Sequence, residues 1–377
     1  MDRSLHFNHL ARICVVGVGG GGGSAINRMI KDGVRGVDYI AVNTDTIALL
    51  TSEAPTRIQI GEAGTGAGGN MALAQYAAQH AKAELQEALQ GADMVFVTAG
   101  MGGGTGSGAS PIIARLAREQ GALTIGVVTH PFKFEGGQRL NNAKRGIRLL
   151  EESVDTLIAI PNDNLLDVAQ EKSSLHEAFR TADGILEHAI QGITEIVTKA
   201  GMVNLDLADV RAVMSEGGTS IMGVGTGQGA DGAVGAALEA VNSPLLGISV
   251  DGAKGMLFNV RAHSDLGIQA VNKSAEIARE RAHPDCNFIF GYTPDDSLGD
   301  EVRVTVVATG VDPLTPSKRV EVRVSDIIEE VTPTPEPIPT RRVYMSRPKK
   351  RRNPAYAGGV QTRFSTKQWG IPNYLRQ

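Results

Sequence analysis

Two cysteines in 377 residues cannot build a disulfide framework, and their settings argue against a metal site. Cys14 sits inside an apolar run and Cys286 beside another, so both read as reduced core thiols. No run of eighteen apolar residues occurs, and Met1 to Asn8 lacks the basic start and apolar stretch of a signal peptide. The expected location is therefore the cytoplasm. Neither Gly-Lys-Ser nor Gly-Lys-Thr is present, which excludes the common P-loop kinase or ATPase. Acidic residues are absent after Thr340, where ten Lys/Arg fall, so the formal net charge of −4 divides into +10 on that tail and −14 on residues 1 to 340. Arg341-Arg342 and Lys349 to Arg352 suit anionic lipid, nucleic acid or the acidic body of a neighbouring subunit. A tail that is simply solvated fits the same composition.

Glycine, in contrast, is abundant at 46 residues, and much of it falls in two runs. One run, Ala99 to Ser110, follows the apolar Met94 to Thr98 and precedes the helix-like Pro111 to Gln120. Backbone N–H groups brought close by Gly103, Gly104 and Gly106, with hydroxyls from Thr105 and Ser107, form a cradle for phosphate, and the next helix adds its positive end. The other, Gly19 to Gly23, follows the strand-like Ile13 to Val18 and leads through Ser24 into residues with helical spacing. Gly17, Gly19 and Gly22 also match a dinucleotide fingerprint. That match is weak alone, because a dehydrogenase has no use for the second loop.

The 42% apolar content and the length suit two domains plus a tail. Apolar runs at 13–18, 38–43, 93–99, 122–129 and 154–160 alternate with helix-like segments, which predicts an α/β domain with a mainly parallel sheet covered on both faces. Ligands of such sheets bind at the carboxyl ends of the strands, where both glycine runs fall. From Leu175 to Thr198 apolar residues recur every three or four positions, which predicts one long helix. Segments 218–225, 255–262, 287–292 and 302–309 read as strands of a second sheet, covered by helices at 231–241 and 268–282. Beyond Asp312, repeated prolines and few apolar residues indicate an extended linker.

Gly-Gly-Gly-Thr-Gly-Ser-Gly at 102 to 108 resembles the tubulin signature, and its companions are similar to the FtsZ family of tubulin-like cell-division GTPases. They include Ile-Ala-Val-Asn-Thr-Asp at 40 to 45, Gly-Ala-Gly-Gly-Asn at 66 to 70, Pro-Phe-Lys-Phe-Glu-Gly at 131 to 136 and Ile-Pro-Asn-Asp at 160 to 163. Asn-Leu-Asp-Leu-Ala-Asp-Val at 204 to 210 and the strand-like 299 to 310 extend the match almost end to end. The resemblance implies a GTP-binding domain over 1–174, a central helix over 175–200 and a GTPase-activating domain over 201–312. A disordered linker over 313–366 and a docking peptide over 367–377 complete the expected organisation.

The resemblance also implies which residues meet GTP or GDP. Gly20, Gly21, Gly22, Gly23 and Ser24, with Gly103, Gly104, Thr105, Gly106 and Ser107, are expected at the phosphates, and Asn162 is expected to meet the nucleotide as well. Glu135 and Arg139, four apart at a helix start, are expected at ribose and phosphate; an ordinary surface ion pair is the competing reading. Phe179 and Asp183 stand one turn apart, an aromatic face beside an acceptor. Guanine suits that pair, since its N1–H and N2 amine are adjacent donors, whereas adenine presents an acceptor. Asn43 and Asp45, with Ala67, Gly68 and Gly69, are expected near ribose, Mg²⁺ and the γ-phosphate.

Asn204, Asp206 and Asp209 match the family's synergy loop, which enters the nucleotide site of the next subunit, and so are the expected catalytic residues. A helix cap by Asp206 fits the local sequence equally well. Completion of a site in trans makes the chain its own partner, in a head-to-tail polymer whose hydrolysis needs assembly. The segment Trp369 to Gln377 resembles the family's C-terminal peptide, which engages membrane-anchoring adaptors and assembly regulators; Gly370 stands where an acidic residue is common. The family places such proteins at the division ring beneath the membrane. Departures include a shortened stretch from Gly61 to Gly66 and serines at 24 and 107 in place of the commoner Asn and Thr. Rival readings are a tubulin-like scaffold for shape or DNA partition with weak hydrolysis, and a Rossmann oxidoreductase.

Overall fold

The apolar runs become strands, and the glycine runs become the first turns of helices. The computed structural model describes residues 11–166, 174–198, 207–215, 219–229, 231–243 and 249–311. The expected linker and docking peptide, together with Asn204 and Asp206, lie outside the described residues. Strands β1 (Ile13–Val18), β2 (Asp38–Asn43), β3 (Thr56–Gln59), β4 (Met94–Gly100), β5 (Leu123–His130) and β6 (Thr156–Pro161) pair in parallel in the order β3-β2-β1-β4-β5-β6. Their burial on both faces explains the near-continuous apolar sequence of β1 and β4. The exception is β3, an edge strand in which only Ile58 is buried.

Strands β7 (Thr219–Gln228), β8 (Gly255–Ala262), β9 (Asn287–Pro294) and β10 (Glu301–Val311) correct the expectation of a separate second sheet. They extend the first one, through the pairs Leu157 with Thr219 and Ile158 with Ser220, into a single ten-stranded sheet. β10 runs antiparallel between β7 and β8, and β8 pairs in parallel with β9.

Helices α1 (Gly19–Lys31) and α2 (Thr46–Leu50) flank β2, while α3 (Met71–His80) and α4 (Lys82–Leu89) follow β3. Next come α5 (Gly104–Glu119), α6 (Gly137–Glu151) and the single turn α7 (Asp163–Leu166). Both α1 and α5 start earlier than their spacing predicts, and Pro111 lies inside α5 instead of opening it. Glycine disfavours helix by about 1 kcal/mol, so a glycine run reads as loop. Packing overrides that preference. A side chain at Gly22 would overlap the Thr98 carbonyl oxygen, and one at Gly106 would lie 2.5 Å from that of Gly100. The two helices approach β4 so closely that only glycine fits there.

The long helix α8 (Leu175–Thr198) forms as the spacing predicts, followed by α9 (Leu207–Met214), α10 (Gly232–Val241) and α11 (Ile268–Arg281). Leu186, Ala189, Ile190 and Ile193 of α8 bury against Val15, Phe96 and Ile125, and the same core continues through Val210 and Met214 to Leu257 and Val307. One helix thus closes the core of both halves. Two buried carboxylates on α8 are matched by arginines from either side: Glu187 by Arg28 of α1 at 3.0 Å, Glu195 by Arg261 of β8 at 3.3 Å. Such pairing offsets the cost of taking the charges out of water.

Candidate functional site

The carboxyl ends of β1, β4 and β5 open into a cavity of about 360 Å³. Gly20, Gly21 and Ser24 of α1 line one part, and Gly103, Gly104, Thr105 and Gly106 at the start of α5 line another. Two helix N-termini therefore converge, each with backbone N–H groups that have no acceptor within the helix. Side chains at Gly20 and Gly103 would meet nothing within 4 Å, so these glycines leave open space where a ligand can reach the backbone. Glu135, Arg139, Asn162, Phe179 and Asp183 complete the part of the lining that the sequence singles out.

Each of these side chains is held by its surroundings. Glu135 accepts the Phe132 N–H at 2.9 Å and forms an ion pair with Arg139, whose guanidinium is half exposed. Phe179 is 39% exposed and rests edge-on against Phe132, 5.4 Å between centroids, which in turn stacks on Phe134. Its face is set, and open, for a planar ligand. One turn on, burial pushes the Asp183 carboxyl up to about 6, with Arg28 opposing the shift. Asn162 is 4% exposed and its Oδ1 has no hydrogen-bond partner among the described residues. A buried acceptor left so at a cavity wall is a place for a donor from a ligand or water.

Other expected residues stand beside this cavity. Gly23 and Asn43 line an adjoining recess of about 160 Å³. Gly22, in the first turns of α1, faces the backbone of Gly17 and Thr98 in the sheet, and Asp45 caps α2 by accepting the Ile47 and Ala48 N–H groups. Ser107 is fully buried, its Oγ accepting the Gly102 N–H at 2.8 Å. Ala67 is buried against Gly104, while Gly68 and Gly69 are exposed at φ 54 and 78, a conformation few other residues adopt. Asp209 is exposed on the first turn of α9 and does not line the cavity. The sequence reading missed Met101, Thr129, Pro131 and Ala182, which line the cavity, and the buried contact of Thr44 with Thr105, 2.7 Å between hydroxyl oxygens.

Family models match two parts of the chain: the GTPase domain of the Tubulin/FtsZ family over residues 12–170, and the C-terminal domain of the FtsZ family over 218–312. The chain belongs to the tubulin/FtsZ family. An empty FtsZ dimer of M. jannaschii is 38% identical, with 83% of this chain and 94% of that one covered at a TM-score of 0.78. A point mutant of M. jannaschii FtsZ is 40% identical over 80% and 91%, with a TM-score of 0.77. The GTPγS-bound protofilament of CetZ2 from Haloferax volcanii, 21% identical over 85% and 97% at a TM-score of 0.69, shares the fold. Most of the cavity lining falls within the span matched by the GTPase-domain model, and among the described residues Phe179, Ala182 and Asp183 reach it from α8, beyond that span. Among the described residues no helix is long and apolar enough to cross a membrane.

Proposed function

We propose that this member of the family is a self-assembling GTPase that polymerises head to tail, hydrolyses GTP at each subunit junction and forms a division ring beneath the membrane. One asymmetry carries the reading. The cavity offers donors for phosphate, yet the two carboxylates that line it among the described residues, Glu135 and Asp183, lie on neither glycine run. Glu135 is occupied by Phe132 and Arg139, and Asp183 stands beside the aromatic face. A base for the attacking water is then sought outside the cavity lining, and the resemblance of residues 204–210 to the family's synergy loop gives that role to Asp209, exposed on α9 with Asn204 and Asp206 just before it, supplied by the next subunit. The relatives solved as a dimer and as a protofilament support self-association.

In this reading the phosphates lie between Gly20–Ser24 and Gly103–Gly106, ribose meets Glu135 and Arg139, and guanine stacks on Phe179 with its N1–H and N2 amine toward Asp183. The water oxygen bonds to the γ-phosphorus, the bond from that phosphorus to the bridging oxygen breaks, and the water proton passes to the carboxylate. Mg²⁺, when bound, neutralises charge on the phosphate oxygens. Asn43, which lines the adjoining recess, and Asp45, which caps α2, are the side chains expected near the ion, with phosphate oxygens and water as further oxygen ligands. The division into a GTP-binding domain, central helix, activating domain, linker and docking peptide, with adaptors and assembly regulators engaging Trp369 to Gln377, is part of the same proposal.

GTP turnover with Mg²⁺, followed against protein concentration with light scattering in parallel, tests the core of it. A shared threshold for turnover and scattering is expected. Turnover linear from the lowest concentration means a complete site in each monomer and ends the junction mechanism.

The Asp183 carboxyl gives a second expected result. Its charged form accepts guanine, so affinity for GDP falls about tenfold per pH unit below about 6. Asp183→Asn keeps an acceptor, loses the titration and flattens the profile, read by fluorescent-nucleotide titration from pH 5 to 7.5. The same burial acts oppositely on stability without nucleotide. A carboxyl raised above its unfolded value favours folding fully at low pH, and that contribution is lost as pH climbs through about 6.

A further inference from the structure

Gly102 is held through both of its backbone polar groups, one in each of the peptides that flank it. Gly102 donates its N–H to Ser107 Oγ, and its carbonyl accepts from Asn142 Nδ2 of α6 at 3.4 Å. The same Nδ2 donates to the Gly69 carbonyl at 3.1 Å, so one carboxamide joins the Ala67–Gly69 stretch to the second glycine run. Both partners are acceptors, which fixes the amide orientation. The clasp is tight: Gly102 adopts φ 103, and a side chain there would lie 2.9 Å from the Arg139 carbonyl oxygen. In a trans peptide the C=O and N–H point opposite ways. A Gly102 carbonyl turned to α6 therefore sends the Gly103 N–H away from α6, and Gly103 lines the cavity.

We propose that Asn142 is a positioning residue for GTP hydrolysis: it aims the Gly103 N–H and holds the Ala67–Gly69 stretch beside it, where the terminal phosphate binds, without touching the nucleotide. The inference rests on the GTPase reading above. A donor already aimed where charge develops stabilises the transition state without reorganisation, and a partner that fixes such a donor commonly carries a ten- to hundredfold effect. Asn142 lies one turn beyond Arg139 on α6, so a single helix supports both the ribose pair and the phosphate loops.

The test compares full-length parent with Asn142→Ala, Asn142→Asp and Asn142→Gln. Turnover is measured per assembled subunit, and GMP, GDP and GTP affinities below the assembly threshold. Asn142→Asp keeps the volume and removes the donor, so it separates hydrogen bonding from packing if the alanine variant folds poorly. Expected are a ten- to hundredfold lower kcat in the Ala and Asp variants, GTP affinity weakened relative to GDP, GMP affinity within about twofold of the parent, and recovery in Asn142→Gln. Parent-like kcat in Asn142→Asp overturns the proposal, and so does a GMP affinity that falls as far as GTP affinity, because α6 has then moved as a whole. A parent that turns over no GTP at any concentration sinks the GTPase reading itself.

Discussion

Gly20→Leu is expected to fold as well as the parent and to lose nucleotide, whereas Gly22→Ala, two residues on, is expected to be destabilised. The difference lies in where each side chain would go. At Gly20 a Cβ meets nothing within 4 Å, and the residue lines the cavity, so leucine fills the space a phosphate needs. Leucine also favours helix over glycine by nearly 1 kcal/mol, so the thermal midpoint stays level or rises. Affinity for GDP is expected to fall about 100-fold or more, roughly 2.7 kcal/mol, as the first glycine run is closed to the anion. At Gly22 even a methyl group overlaps the Thr98 carbonyl oxygen and lies within 3.0 Å of the Gly17 backbone. Both are backbone atoms in the sheet, with no flexible end to swing aside. Overpacking of this kind costs about 1–3 kcal/mol, read as a lower urea midpoint. A Gly20→Leu protein that binds GDP like the parent would contradict the placement of phosphate at α1.

How far the sequence carries depends on whether a residue's role is local. Apolar runs marked β1, β2, β4, β5 and β6 almost to the residue because buried parallel strands need apolar side chains on both faces. In β3, Thr56, Arg57 and Gln59 are exposed, so nothing but Ile58 records its place in the sheet. The glycine runs show the opposite failure. Their composition gives the local preference correctly, and a neighbour distant in sequence, the backbone of β4, decides against it. Ser107 shows the same limit, since spacing cannot tell whether its hydroxyl faces a ligand or the Gly102 N–H beneath. Thr129 and Pro131 line the cavity only because β5 ends there, and neither residue type signals chemistry. By contrast, Glu135, Arg139, Phe179 and Asp183 carried chemical meaning as pairs at helical spacing, and the fold brings both pairs to one cavity.

Asp209→Ala is expected to cut GTP turnover about 100-fold or more, the usual reach of a general base, while filaments still form and persist. The carboxylate lies outside the cavity of its own chain, so nucleotide affinity in the monomer stays at the parent value. A mixture makes the trans mechanism visible. Gly20→Leu subunits have a closed cavity and an intact Asp209; Asp209→Ala subunits have the reverse. If each site is completed by the next subunit, junctions that join an open cavity to an intact carboxylate regain turnover, although neither protein is active alone. A site complete within one chain predicts no activity at any ratio. Heterologous head-to-tail contacts distinguish the two faces of every subunit, so of the four junctions in the mixture only one of the two mixed orders, an open cavity facing an intact carboxylate, is active. Turnover should therefore peak at an intermediate ratio and vanish at both ends, a shape that residual activity in either variant cannot imitate.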